Sequence, residues 1–357
     1  MLVYQRYMAH YIAMPFLTFT FLITGIIWIS QILKFLYLID KGIRLSQFFS
    51  LIILIVPSLL FMVLPFSLLL AVIYTYNRFG EERQLIILKN SGLSNIDLAK
   101  PALFIATIVT ICSYYISAIL LPASYTKLKT DLNYFRRNYA SSIVSEKTFN
   151  QISNSITLYV DKKSTNDSLM GVIVFDNRRS DSPSILFAKK GRFKPSGNNM
   201  AFELFNGFRQ APDSNGTLTK LQFDSLVVEL TDNKIKSEED NRDINEFYIG
   251  ELLSPSNKLS IPRQQKMIAE GHQRLIWPLY NYILTFIALA VFLKMPYNKK
   301  SVFKQLFYTT VIVVGVTYLH FTIQNLTVKN FDMLFICYLN FILIIIFGSL
   351  LFKQRTL

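Results

Sequence analysis

Apolar residues fall into six long segments, three before and three after a polar stretch of about 150 residues. Each segment is long enough to cross a membrane, since a helix needs about 20 apolar residues to do so. Residues 102–121 carry no charge at any position, whereas a soluble helix usually shows a polar face. We therefore predict six transmembrane helices in a 3+3 arrangement. The predicted spans are 12–33, 48–76, 102–121, 275–293, 305–323 and 331–352.

The second segment, residues 48–76, is longer than one crossing requires and contains Pro57 and Pro65. Proline bends or breaks a helix by removing a backbone hydrogen bond, but membrane helices tolerate it where neighbouring groups satisfy the freed carbonyl. A helix longer than the bilayer can also tilt. We therefore predict one tilted or kinked span here.

The polar stretch has the two-residue periodicity of strands. Ile156, Leu158 and Val160 alternate with Thr157 and Tyr159, as in a half-buried strand. Residues typical of turns recur at close intervals. They are Gly191, 195–197, 206–207 and 212–216. The stretch therefore predicts an inserted all-β domain of the sandwich or jelly-roll type.

One predicted strand, residues 221–230, changes the phase of its alternation. Leu221 and Phe223 follow one phase, and Leu226 and Val228 follow the other, with the change at Ser225. An extra residue in one strand produces such a change. We therefore predict a β-bulge at this position.

These patterns divide the chain into three parts: 1–121 with spans one to three, 122–270 as the β domain, and 271–357 with spans four to six. Lys and Arg in short loops stay on the cytoplasmic side. With a cytoplasmic N-terminus, eleven such residues lie inside and four lie in the short outer loops. Both termini are therefore predicted to be cytoplasmic and the β domain to lie outside.

The net charge of +14 does not indicate nucleic-acid binding, because many basic residues flank the spans, where they set topology and meet anionic lipid. Cys112 and Cys337 both fall inside predicted spans, which argues against a disulfide framework or a thiolate metal site. His10, His272 and His320 lack metal-ligand spacing. The sequence contains no phosphate-binding P-loop motif either. We therefore expect no cofactor on this chain, and energy for any work must come from a partner or an ion gradient.

Residues 80–93, GEERQLIILKNSGL, predict a short cytoplasmic helix. Glu81 and Glu82 suit the start of a helix, residues 85–88 supply an apolar side, Lys89 suits the end, and Gly92 suits a left-handed stop. Such a helix either rests on the lipid surface or docks on a cytosolic motor protein. The residues leave both possibilities open.

Four motifs together resemble the lipopolysaccharide export permease family LptF/LptG over essentially the whole chain. They are VLPFSLLL at 63–70, the E-x-x-x-x-x-L-x-x-S-G-L-S loop at 82–94, FELFNG at 202–207, and E-x-H-x-R-x-x-x-P-L at 270–279. The first two resemble LptF more than LptG. Each motif is weak alone, but their order within a 3+3 layout is specific.

The resemblance implies a permease subunit of an ABC transporter and not an enzyme. Two related permeases, one of them LptG-like, pair in the bacterial inner membrane and dock on an LptB-like cytosolic ATPase dimer, which holds the ATP and Mg²⁺. ATP-driven closure passes lipopolysaccharide to a bridge of periplasmic jelly-roll proteins, LptC-like and LptA-like.

By the same resemblance, residues 80–93 form the coupling helix that contacts the ATPase. The implied docking residues are Glu81, Glu82, Arg83, Leu85, Leu88 and Gly92. Many relatives have a second acidic residue where this chain has Gln84. The acidic contact is therefore expected from Glu81 or Glu82, or is weaker here.

Lys34, Lys41 and Arg44, near the outer end of the first span, are candidates to bind the lipid A phosphates, as basic residues there do in relatives. Ordinary snorkelling of a basic side chain to the membrane surface explains Lys34 equally well. The motif at 270–279 contains Glu270, His272, Arg274 and Pro278. Arg274 is expected to pair with Glu270 at i, i+4, which favours a structural role.

Two other classes of protein share parts of this layout. An integral-membrane enzyme acting on envelope lipids or glycans would need a cluster of acidic or histidine residues at one membrane face, and the predicted spans lack one. A membrane-anchored scaffold or receptor with a β domain would not need a helix that docks on a motor.

Overall fold

The computed structural model describes residues 3–36, 39, 43–138, 144–153, 155–164, 168–178, 183–196, 199–213, 217–229, 242–294, 299–328 and 338. The chain forms two compact units. The first, helical unit comprises Met1–Leu33, Ile52–Lys127 and Glu238–Leu357. The second, which contains the sheet, comprises Lys34–Leu51 and Leu128–Ser237.

Ten α-helices are described. They are α1 (Val3–Phe35), α2 (Leu45–Ile53), α3 (Val56–Glu81), α4 (Gln84–Asn90), α5 (Asn95–Tyr115), α6 (Leu121–Asn138), α7 (Ile249–Leu253), α8 (Ile261–Ile276), α9 (Tyr280–Lys294) and α10 (Lys299–Thr327). A π-helical turn, Ile116–Leu120, continues α5 into α6. Two short 3₁₀ turns cover Ile244–Glu246 and Trp277–Leu279, and the second turn joins α8 to α9.

Five helices in the described part of the chain are long and apolar enough to cross a membrane. They are Val3–Phe35, Val56–Glu81, Asn95–Phe135, Ile261–Lys294 and Ser301–Thr327. The first five predicted spans coincide with or overlap these helices. The sixth, residues 331–352, lies outside the described residues except for Tyr338. The helical, membrane-compatible character is therefore confirmed, whereas the 3+3 count remains a prediction.

The second predicted span, residues 48–76, is not one continuous helix. It is interrupted between α2, which ends at Ile53, and α3, which begins at Val56. Pro57 lies in the first turn of α3, where its missing N–H costs nothing and its fixed φ favours a helix start. Pro65 remains inside α3. The helix therefore breaks just before Pro57, and the crossing of the membrane by residues 48–76 as one span remains a prediction.

The core of the helical unit is built around α9, which packs against α3 and α5. Pro278, just before α9, lacks an N–H and so leaves the carbonyl of Arg274, four residues earlier, without its helical partner. The Ser117 hydroxyl donates to that carbonyl at 3.2 Å. The Tyr114 hydroxyl donates to the next carbonyl, that of Leu275, at 2.8 Å. These bonds show how the proline is accommodated inside an apolar core.

Six strands form one antiparallel sheet in sequence order. They are β1 (Phe149–Ser153), β2 (Ile156–Lys163), β3 (Ser168–Asp176), β4 (Ser184–Ser196), β5 (Asn199–Pro212) and β6 (Leu218–Glu229). Each strand pairs with its sequence neighbour, so the described strands form a meander. The predicted strands are confirmed as an antiparallel sheet, but the predicted β domain, residues 122–270, is not all β, because α6, α7 and the first part of α8 also lie in this range. A jelly roll needs a crossed connection, which the described strands do not contain, so that topology remains a prediction.

One row of residues crosses the sheet, with one residue from each strand from β2 to β6. In each of these strands the alternation of buried and exposed residues changes phase at this row. In β4, for example, the buried residues Ala188 and Gly191 are three positions apart instead of two, and Lys189 of the row lies between them. Gly171 and Asn206 within the row have left-handed φ angles of 63° and 52°. The row contains Asp161, Gly171, Lys189, Asn206 and Asp224. Because β5 and β6 keep one register along their length, the predicted bulge at Ser225 is wrong: neighbouring strands change phase together.

Two predicted turns lie inside strands. Gly191 is in β4 and the pair 206–207 is in β5. A Cβ on Gly191 would lie 2.6 Å from the Phe202 ring, and one on Gly207 would lie 2.2 Å from the Phe187 carbonyl oxygen. Glycine inside a strand often marks such a close approach. The turn prediction fails here because the glycines make room for a neighbour.

Candidate functional site

The candidate site is the loop and short helix between α3 and α5. α3 continues to Glu81, and Arg83 adopts a left-handed φ of 58° before α4 begins. Asn77 donates to Glu81 at 3.2 Å and Arg78 donates to Glu82 at 2.8 Å. These i, i+4 bonds extend α3. The predicted helix over 80–93 is therefore wrong in its start: the two glutamates end α3, and α4 covers only Gln84–Asn90.

The carboxylate of Glu82 is held from both sides. Arg78 Nε donates to its Oε1, and Gln84 Nε2 donates to its Oε2 at 2.6 Å. A glutamate at position 84 could not donate such a bond and would repel Glu82. The amide at Gln84 thus orients the acidic side chain two residues earlier. All three residues are partly or fully exposed.

The end of α4 has the predicted stop signal. Gly92 has a left-handed φ of 86°, which confirms the left-handed turn expected there. Ser94 and Asp97 then form a capping box that starts α5, satisfying backbone N–H groups at the helix start. The tight turns at both ends fix the position of α4 between two long helices.

The two sides of α4 differ in exposure. Leu85 is 8% exposed within the helical core, and Leu88 packs against that core. Ile86 and Ile87 are 48% and 62% exposed. The leucines implicated in partner contact therefore face their own protein. The two isoleucines present the apolar surface that α4 leaves accessible.

A second group of motif residues surrounds Arg274, whose side chain is fully buried. Its Nε is 3.1 Å from Glu270 Oε1, so the expected i, i+4 ion pair is present. Its Nη1 donates to the carbonyl of Phe247 at 2.8 Å, and its Nη2 to that of Ile244 at 3.4 Å. Arg274 therefore joins α8 to the segment that follows the sheet in sequence.

The histidines on α8 and α10 make polar contacts to other helices or segments. His272 Nδ1 lies 2.7 Å from the Tyr338 hydroxyl. His320 Nε2 lies 2.8 Å from Gln273 Oε1, and its ring lies 4.5 Å from that of Tyr280. Among the described residues, no group of three His, Cys, Asp or Glu side chains is placed to hold a metal ion. These histidines therefore belong to the packing between helices.

The three basic lipid-binding candidates are only partly described. Lys34 is exposed at the end of α1, and Arg44 is exposed just before α2. Lys41 lies outside the described residues. Lys34 and Arg44 both belong to the unit that contains the sheet.

Buried polar residues on α5, on the π-helical turn after it and on α9 are absent from the sequence-based candidates. Asn281 is fully buried and donates to Ser113 Oγ at 3.1 Å and to the Pro278 carbonyl at 2.8 Å. Ser117, beside Arg274, is also fully buried. A signal was available: polar residues in an apolar span normally face other helices.

Long apolar helices, one inserted antiparallel sheet and a short, partly exposed helix between two long ones define a membrane protein with a folded insert. Residues 6–354 match the family described as lipopolysaccharide export system permease LptF/LptG. The chain belongs to that family, whose members are transport permeases and not enzymes. It is also similar to a protein of Rickettsia prowazekii (strain Madrid E) called Uncharacterized protein RP871, with 46% identity over 360 residues covering 100% of both chains.

Proposed function

We propose that this chain is a permease subunit of an ABC transporter that extracts lipopolysaccharide from the inner membrane. It passes the lipid to a periplasmic jelly-roll bridge for export to the outer membrane. The observation that carries this proposal is α4, a short helix that exposes two isoleucines beside a fixed carboxylate, in a chain of the export-permease family.

In the proposed orientation both termini and α4 face the cytoplasm, and the sheet lies in the periplasm. The chain pairs with a second, LptG-like permease and docks on a dimeric cytosolic ATPase, which binds ATP and Mg²⁺. This permease itself holds no cofactor. The excess of Lys and Arg in the segments on the α4 side supports this orientation.

The proposed ATPase contact uses the exposed side of α4. Ile86 and Ile87 supply apolar area, and Glu82, fixed by Arg78 and Gln84, supplies a preorganised negative charge. A fixed side chain loses less conformational entropy on binding. Leu85 and Leu88 support the contact from beneath, because they attach α4 to the helical core.

Replacing Ile87 with glutamate is expected to weaken ATPase binding by at least about tenfold, because an apolar contact becomes a charge at the proposed interface. Leu85 is a poorer choice for this test, since a charge there would disrupt the core in which it is buried. The measurement is the amount of ATPase that co-purifies with the chain in mild detergent.

Ile261→Glu provides the matched control, because Ile261 is 71% exposed at the start of α8 and lies on the opposite side in the proposed orientation. It should retain the ATPase. Equal ATPase recovery with Ile87→Glu and intact export would contradict docking through α4. That outcome would place the ATPase contact elsewhere on the chain.

For the substrate, we propose that Lys34, Lys41 and Arg44 bind the phosphates of lipid A. Ammonium and guanidinium groups bind phosphate through charge-assisted hydrogen bonds. The exposure of Lys34 and Arg44 leaves both side chains accessible to a lipid headgroup.

Replacing all three basic residues with alanine is expected to lower photocrosslinking of lipopolysaccharide to the chain several-fold, because each charge-assisted bond contributes about 1.5–3 kcal/mol. Crosslinking is measured in native membranes at matched protein levels. A triple alanine variant of the exposed Lys190, Lys194 and Lys220 on the sheet controls for net charge. Unchanged crosslinking in the Lys34, Lys41 and Arg44 variant would mean that these residues only set topology.

Partner jelly-roll proteins are proposed to continue the sheet at an edge. β1 and β6 are the outermost of the described strands, and a strand from another chain can pair with an open edge. β6 also exposes Leu218, Leu221 and Val227.

Affinity purification from native membranes, followed by mass spectrometry of proteins and lipids, tests the whole proposal. A second permease, an ABC ATPase and lipopolysaccharide are the expected companions. A chain recovered without an ATPase would contradict the proposed function.

A further inference from the structure

Lys89, the last residue but one of α4, links this helix to a distant part of the chain. Its Nζ donates to the carbonyl oxygen of Leu293 at 2.8 Å. Leu293 lies in the last turn of α9, where carbonyl groups have no partner within their own helix. The ammonium group therefore caps the C-terminal end of α9, where positive charge is also favoured by the helix dipole.

Packing reinforces this bond. Leu85 belongs to the same buried apolar cluster as Phe292 and Leu293, and Leu88 packs against that cluster. Lys89 is exposed overall, but packing around its ammonium group removes some water and lowers its pKa. The carbonyl bond offsets part of the cost of removing the ammonium from water. One side of α4 is thus attached to the core by apolar contacts and by a directed hydrogen bond to α9.

α9 is well suited to transmit a displacement of α4. Nearly all of its residues are buried, and close-packed interiors transmit strain. The Trp277 indole at its start donates to the Phe61 carbonyl of α3 at 2.9 Å. Beyond that turn, Arg274 on α8 bonds the carbonyls of Phe247 and Ile244. The helical stretch Ile261–Lys294 thus connects the end of α4 to the segment that follows the sheet in sequence.

We infer that Lys89 is a positioning residue that fixes the motor-facing helix α4 to the end of α9, so that movement of α4 drives this long helix. The inference rests on the proposed function, because it requires an ATPase that moves α4. It assigns transmission of the movement to a residue that bonds the end of α9 and is not among the proposed ATPase contacts. Loss of the bond should separate ATP hydrolysis from lipid transport.

Lys89→Met tests this role, since methionine keeps much of the apolar stem and removes the donor. In the purified full complex in proteoliposomes containing lipopolysaccharide, we expect normal ATPase recovery and ATP hydrolysis. Lipopolysaccharide released per ATP should fall about threefold or more, the range of a coupling mutation. Lys89→Arg keeps a charged donor and should retain most of the wild-type ratio. Asn90→Ala, on the exposed neighbouring residue, is the matched control.

A merely structural role would lower complex recovery and leave the ratio of lipid to ATP unchanged. An unchanged ratio in Lys89→Met overturns the inference, whether or not recovery falls. If the wild-type chain recruits no ATPase, the proposed function itself fails, and the role of Lys89 fails with it. These two failures are distinguished by the wild-type preparation alone.

Discussion

Replacing Arg274 with methionine is expected to destabilise the chain by about 3–5 kcal/mol, the usual cost of removing one partner from a buried ion pair. The substitution leaves Glu270 without its cation and two carbonyls, those of Phe247 and Ile244, without a donor. Methionine fills part of the volume, so most of the loss comes from unpaired polar groups. Thermal unfolding in detergent should show a lower Tm and a lower yield of folded protein.

Two companion variants separate charge from packing. Glu270→Gln keeps an acceptor oxygen for Arg274 and should cost less than Arg274→Met. Lys266→Met, on an exposed residue of the same helix, should change stability by less than about 0.5 kcal/mol, as is usual for surface substitutions. A wild-type Tm for Arg274→Met would show that the buried bonds contribute little to stability.

Replacing Gly207 with alanine is expected to destabilise the sheet by at least about 2 kcal/mol through overpacking. The new Cβ would lie 2.2 Å from the Phe187 carbonyl oxygen and 2.6 Å from the Phe223 ring. The ring can rotate away, but the carbonyl belongs to β4, which pairs with β5 on both sides of this point. The clash between the new Cβ and this carbonyl can therefore be relieved only by movement of the backbone. Limited proteolysis of the full chain should show faster cleavage within the sheet.

Gly250→Ala is the matched control, since a Cβ there meets no atom within 4 Å. Gly191→Ala should have an intermediate effect, because its nearest neighbour is the Phe202 side chain and not backbone. Wild-type protease resistance in Gly207→Ala would mean that β4 and β5 can separate locally without loss of the sheet.

The apolar segments and the strand periodicity were predictable because each depends on a local pattern. A run of apolar residues has few stable locations other than a membrane or a large core. Strict alternation at Ile156, Leu158 and Val160 places these three side chains on one face of a strand, and all three are buried. The left-handed stop at Gly92 followed from the same kind of local rule.

The incorrect predictions concern residues whose role depends on side-chain contacts that composition does not reveal. Glu81 and Glu82 suit a helix start by charge, but bonds from Asn77 and Arg78 attach them to the end of α3. Gly191 and Gly207 suit turns by composition, but they accommodate atoms of neighbouring strands. The leucines of α4 face the core because of packing against α9 and other helices.

The sequence by itself determined the membrane-compatible helices, the inserted β region and the family, because hydrophobic length, periodicity and motif order are properties of the chain. Only the tertiary structure decided which side of α4 is exposed and that Lys89 bonds a carbonyl 204 residues away. Those features depend on which segments meet in space, and local residue patterns do not encode that.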